Sequence, residues 1–294
     1  MSVPAAFLGV VLIWATTPLA IKWSSESGGF LFGVTARMLI GVFVCLVLVA
    51  LMSRRMRWHR DASLTYVAAG VGIWGAMTSV YWASQFIPSG LVSVLFGLTP
   101  VATALMAALW LGERALTPTR LLGIGLGIAG LSLILNQGVA LGAQAIFGIT
   151  GVLISVLIHS ASAVWIKRIG ARLHPLETTT GALLIAVPLF VATWWLFDGQ
   201  PPTALSPRAF WAIIYLAVFG SAIGFVLYYF VLHRIQASRV ALITLITPVL
   251  ALMLGQMLNG EVLMPSTWIG SALVLFGLAC FEWGEIWQRR LIQS

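Results

Sequence analysis

The chain has 294 residues, 60% of them hydrophobic and 8% charged, with a formal net charge of +8. Soluble domains carry roughly 25% charged residues, so this composition, with its mean hydropathy of +1.02, excludes a water-soluble fold and makes lipid the solvent. The segments between apolar runs are too short for a nucleotide-hydrolysing module, which excludes ATP-driven work within this chain.

A membrane helix needs about 20 mostly apolar residues, and lipid forces every backbone group to pair inside the protein. A barrel would alternate in polarity, and runs such as 39–51 do not. The expected spans, in chain order, are 4–23, 29–52, 64–86, 89–111, 119–135, 148–169, 175–196, 208–230, 237–258 and 266–283. The first lacks a basic start and a small-residue cleavage site, so it reads as helix 1 and not as a removable signal. Helix 2 carries Arg37, and helices 4 and 9 carry Pro100 and Pro248 in their interiors. Each proline removes a backbone donor, which serves either packing or a paired hinge around a cavity. Cys45 and Cys280 lie in apolar spans and match no metal spacing, so they read as packing residues.

The charge is segregated. Thirteen of the sixteen basic residues fall on one side of the ten-span arrangement, among them Arg54, Arg55, Arg57, Arg60, Lys167, Arg168, Arg172 and Arg234. That is the positive-inside pattern, and it puts both termini in the cytoplasm. It also accounts for the net charge without nucleic acid.

The chain repeats itself. At an ungapped offset of 148, Gly72 meets Gly220, Tyr81 meets Tyr229, Thr99-Pro100-Val101 meets Thr247-Pro248-Val249, and Gly112-Glu113 meets Gly260-Glu261. The spacing of thirteen residues from proline to glutamate recurs in both copies. The repeats are expected over 1–140 and 146–294. Five helices per half is an odd number, so the second half enters upside down. The basic loop 54–60 and its uncharged-by-cation counterpart 197–207 agree with the inversion. The predicted fold is therefore an all-α polytopic membrane protein of two inverted five-helix repeats around a central cavity, an architecture of transporters.

These residues resemble the drug/metabolite transporter superfamily, in particular its ten-helix EamA-type exporters. The likeness is carried by Trp14 and Lys22 in "IWATTPLAIKW", by Arg37 in "TARMLIG", and by "LTPVATALMAALWLGE" and "ITPVLALMLGQMLNGE". One departure is Ala15, where the family usually has glycine after the tryptophan. The length and tryptophan content are similar to bacterial exporters of aromatic and other neutral amino acids. The resemblance implies a multi-pass protein of the bacterial inner membrane, with a small-molecule substrate, a lipid environment and no cofactor or metal.

A transport site is concave, apolar and supplied with a few polar groups. The candidates for its walls are Trp14 and Thr17 on helix 1, Thr78, Tyr81 and Trp82 on helix 3, and Phe96 on helix 4. Helix 6 adds His159 and Ser162, helix 8 adds Phe225, Tyr228 and Tyr229, and helix 9 adds Thr244. Thr78 and Trp82, like Phe225 and Tyr229, share a helix face by their four-residue spacing. Each also has a plainer reading, since serines and threonines bond to their own helix and aromatics pack between helices. His159, an ionisable residue at mid-span, is either a cavity group or a neutral bridge between helices. Arg37, Glu113 and Glu261 read as structural charges. All eight acidic residues fall at or near helix ends, which favours a neutral or zwitterionic cargo and no proton coupling. A catalytic reading finds no nucleophile with its base, no paired mid-span acids and no metal motif.

Overall fold

The computed structural model describes residues 2–112, 117–135, 144–235, 240, 243–262 and 264–293. Within the helices, side chains at 120, 131, 134, 135, 244–246, 267, 278 and 282–293 are outside the description. Of the expected site residues, Glu113 and the Thr244 side chain therefore lie outside it.

The helices begin and end where local chemistry dictates. Helix α1 spans Val3–Ser24, with the Ser2 hydroxyl accepting from the Ala5 amide. Helix α2 is Gly29–Leu51. Helix α3, Arg60–Ala83, starts four residues before its expected edge because the His59 ring caps the Ala62 amide. Helix α4, Ser89–Leu111, breaks at Gly97–Leu98 into two pieces. Pro100 has no N–H for the Phe96 carbonyl, and the Thr99 hydroxyl donates to that carbonyl instead. Helices α5 (Pro118–Leu135), α6 (Ala145–Ile169) and α7 (Pro175–Phe197) follow. Helix α8 occupies Pro207–Leu232, but Leu216–Ile223 within it winds as a π-helix, a feature that no apolar periodicity announces. Helices α9 (Ile243–Asn259) and α10 (Pro265–Gln293) complete the order.

Among the described residues, seven helices (α1 to α4 and α6 to α8) are long and apolar enough to cross a membrane, with shorter apolar helices at Leu121–Gly130 and Trp268–Phe281. Their packing follows the expected inverted pair. Helix α3 packs on α6 and α7, and its repeat counterpart α8 packs on α1 and α2. Helix α1 lies on α9 as α6 lies on α4, while α2 meets α7, α4 meets α9 and α5 meets α10 across the pseudo-twofold axis. Small residues allow the last contact. A Cβ at Gly130 would come to 2.5 Å from the Gly270 carbonyl oxygen, and one at Gly277 to 2.6 Å from that of Gly123. The glycine spacing of α5 thus serves packing within the chain.

The repeated proline-to-glutamate signature acquires a physical meaning here. Gly112 and Gly260 take positive φ values of 68° and 62° beyond the ends of α4 and α9, where a side chain would be strained. Glu261 then reaches into the other half. Its carboxylate accepts from the Ser89 and Gly90 amides at the start of α4, at 2.9 and 3.3 Å, and from Asn259 Nδ2 at 3.1 Å. Lys22 Nζ lies 3.9 Å from the same carboxylate. A carboxylate on a helix N-terminus satisfies orphan amides and favours the helix dipole.

Candidate functional site

Helices α1, α2, α3, α4, α6, α8 and α9 surround a cavity of about 80 Å³ at the centre of the bundle. Its wall is mostly apolar and aromatic, with Trp14, Pro18, Met77, Phe96 and Phe225, and its polar groups are Thr17, Arg37, Ser93, His159 and Thr247. No carboxylate is among the described lining residues. A second hollow of about 20 Å³ lies beyond Met77, His159 and Phe225, which line both, and is closed by Ser162, Tyr228 and Tyr229.

Three rings from three helices pack together beside these hollows. Trp14 on α1 meets His159 on α6 edge-on at 5.8 Å and Tyr228 on α8 at 5.2 Å, and His159 lies 5.3 Å from Tyr228. Tyr229 packs against Tyr228 at 5.2 Å. Pro18 lies inside the continuous α1, one turn after Trp14, and cannot donate to the Trp14 carbonyl. The Thr17 hydroxyl turns back to the Ile13 carbonyl at 2.8 Å.

Arg37 is 1% exposed and lines the cavity. Its Nε donates to Ser221 Oγ at 2.8 Å and its Nη1 to the Tyr81 hydroxyl at 3.4 Å. Ser221 sits in the π-helical turn of α8, whose wider winding faces Gly220 and Ser221 to α2.

The sequence-derived candidates divide. Trp14, Thr17, Phe96, His159 and Phe225 border the main cavity, and Ser162, Tyr228 and Tyr229 the smaller one. Ser162 also ties α6 to α3 by donating to the Ala68 carbonyl at 3.0 Å. Tyr81 is fully buried behind the wall, where it holds Arg37. Thr78 borders neither cavity, and its buried hydroxyl has no hydrogen-bond partner among the described residues. Trp82 faces outward, 36% exposed, against Phe86 and Phe147. Its four-residue spacing from Thr78 marks a face without telling which neighbour that face meets. Pro100 and Pro248 are buried in α4 and α9 but do not touch the cavity. The residues that sequence reasoning passed over, Pro18, Ile21, Met77, Val80 and Val92, are apolar in an apolar chain, so nothing distinguished them.

On the face that carries the basic loops, a vestibule of about 700 Å³ is lined by Arg54, Arg57, Lys167, Arg172, Arg234, His174 and His233. Glu177 accepts from Arg57 Nε at 2.9 Å at its edge. Burial, then the nearby Lys167 and Arg234, push His233 down from 6.5 to about 4. His174 is lowered by burial first and by Arg54 next.

Two inverted helical repeats around a central cavity define a multi-pass membrane transporter. The family model described as "EamA-like transporter family" matches residues 2–136 and 146–282, and the chain belongs to that family. It is 26% identical to an "Uncharacterized transporter" of Archaeoglobus fulgidus, over 91% of this chain and 94% of that protein. It is 26% identical to the "Uncharacterized inner membrane transporter YedA" of Escherichia coli, over 95% of this chain and 90% of the other. A "Probable terminal-alkyne amino-acid exporter" of Streptantibioticus cattleyicolor is also 26% identical, with 95% of each chain covered. A solved crystal structure shares the fold at a TM-score of 0.72 and 20% identity, covering 96% of this chain and 98% of that one.

Proposed function

We propose that this protein moves small neutral or zwitterionic metabolites, aromatic and other neutral amino acids first among them, out of the cytoplasm by alternating access without ion coupling. The observation that carries the reading is the cavity wall: aromatic and aliphatic, dotted with hydroxyls, and free of carboxylates among the described residues. Aromatic rings suit an apolar side chain, and their faces suit an ammonium. A proton-driven carrier ordinarily places a carboxylate in its path, and among the described residues the cavity wall carries none. The name of the Streptantibioticus relative supports an amino-acid cargo.

The repeats over 1–140 and 146–294 act in this proposal as the two bodies that rock around the cavity. Pro100 and Pro248 supply weak points in α4 and α9. In this proposal both termini lie in the cytoplasm, the side that the distribution of basic residues favours.

Flux of a panel of labelled amino acids into proteoliposomes of the purified protein tests the reading. Uptake of phenylalanine or another neutral amino acid, to the same plateau with and without an imposed pH gradient, is expected. Flux of some other metabolite and of no amino acid would overturn the cargo, and accumulation driven by the gradient would overturn the uncoupled mechanism.

A further inference from the structure

We propose that Arg37 is the receptor for a carboxylate on the cargo, which narrows the proposed cargo to small zwitterions that present a carboxylate, amino acids among them; the inference rests on the carrier function proposed above.

A buried guanidinium is expensive unless it is paired. Arg37 is 1% exposed, yet among the described residues its side-chain hydrogen bonds go to neutral hydroxyls, those of Ser221 and Tyr81. Guanidinium carries five N–H donors in a planar fork, so most of its capacity is not taken up by these bonds. Among the described residues no carboxylate pairs with it. The acids that do pair are committed elsewhere, Glu261 to Lys22, Glu177 to Arg57 and Glu26 to Arg208. A cation kept only to brace two helices would be expected to face one of these acids. This one faces a cavity instead.

The pseudo-symmetry breaks at this point. At the offset of 148 that aligns the proline and glycine-glutamate signatures, the counterpart of Arg37 is Ile185, an apolar residue on α7. The repeated fold therefore does not require an arginine there. The surroundings are also shaped around it. The π-helical turn brings Ser221 to the guanidinium, and Gly220 leaves room that a Cβ would take, at 2.9 Å from Nη2.

A carboxylate entering the cavity would be the missing counter-ion. Arginine and carboxylate pair through two parallel N–H···O bonds, and the hydroxyls of Thr17, Ser93 and Thr247 line the same space. The cargo's apolar part then falls against Trp14 and Phe96.

The test uses competition against labelled L-phenylalanine uptake by the full-length protein in proteoliposomes, with 3-phenylpropionate and its near-isosteric amide, 3-phenylpropionamide, as competitors. Thermal unfolding of the detergent-solubilised protein with each compound is the parallel readout. Loss of a charged hydrogen-bonded contact predicts that the acid outcompetes the amide by about tenfold to hundredfold. Equal competition would overturn the role of Arg37 and leave the amino-acid reading intact. If the protein moves no amino acid, that reading fails, and the unfolding data still decide the inference: stabilisation by the acid alone upholds it, and stabilisation by both or neither overturns it. Arg37→Gln is expected to erase the preference for the acid. Because that variant alters a buried group, Gly220→Ala provides a second: the added methyl displaces the flexible end of Arg37 while α8 keeps its fold. It is expected to lower the acid's advantage by about tenfold with an unchanged unfolding profile. A folded Gly220→Ala protein that retains the full preference would contradict the proposal.

Discussion

Trp14, His159 and Tyr228 come from three helices and both repeats, and their rings touch at one level of the bundle. Aromatic contacts of this kind are worth about 0.5–1.5 kcal/mol beyond the area they bury. Replacing Trp14 by alanine should therefore raise KM for an aromatic amino acid by about tenfold, with Trp14→Phe much milder; transport kinetics at equal reconstitution levels would show it, and an unchanged KM would remove Trp14 from the site. His233 permits a pH prediction at the face that carries the basic loops. Its proton affinity falls on folding from 6.5 to about 4, so the unfolded chain binds more protons between those values. Stability carried by neutral His233 is present above the unfolded value and is lost as pH falls through this window. His233→Gln should flatten the decline in melting temperature between pH 6.5 and 4; an identical decline would refute the assignment. The sequence pointed to Trp14 and His159 because large polarisable or ionisable groups stand out in lipid. It misdirected for Trp82, since an apolar helix gives no contrast between the face toward a cavity and the face toward acyl chains.

One helix start in this chain is fixed by a side chain that crosses between the repeats. Glu261 caps the start of α4 from the loop after α9. Caps and dipole contacts are worth roughly 0.5–2 kcal/mol, so Glu261→Ala should lower the thermal midpoint more than Glu261→Gln, which keeps an acceptor for the amides. Equal midpoints for wild type and Glu261→Ala, followed by unfolding in detergent, would show that the cap contributes nothing. The recurring glycine and glutamate were visible as a spacing, and the role of Glu261 as a cap on the opposite half was not, because a cap joining distant segments leaves no local signal. The π-helical turn of α8 was hidden for a related reason. Leu216–Ile223 has the same apolar composition as the α-helical turns on either side, and the wider winding becomes understandable only once Arg37 is seen against Gly220 and Ser221.

At the scale of the molecule, the duplication was the most legible feature. An offset of 148 aligned the proline and glycine-glutamate signatures, and the helix packing reproduces the pairing that an inverted repeat demands. Charge segregation further predicts that a cysteine introduced in place of Ser53, in the basic loop after α2, reacts with impermeant maleimide only after the cytoplasmic face is exposed. Both native cysteines are buried, so the background should be low; labelling in intact cells would invert the topology. The central claim is that one cavity serves both faces in turn, and counterflow tests it most directly. Proteoliposomes preloaded with unlabelled phenylalanine and diluted into labelled phenylalanine should show faster initial uptake than empty vesicles, with a transient overshoot above the final plateau, because a loaded carrier returns with cargo. Phenylalanine uptake that is indifferent to what lies on the other side of the membrane would contradict alternating access.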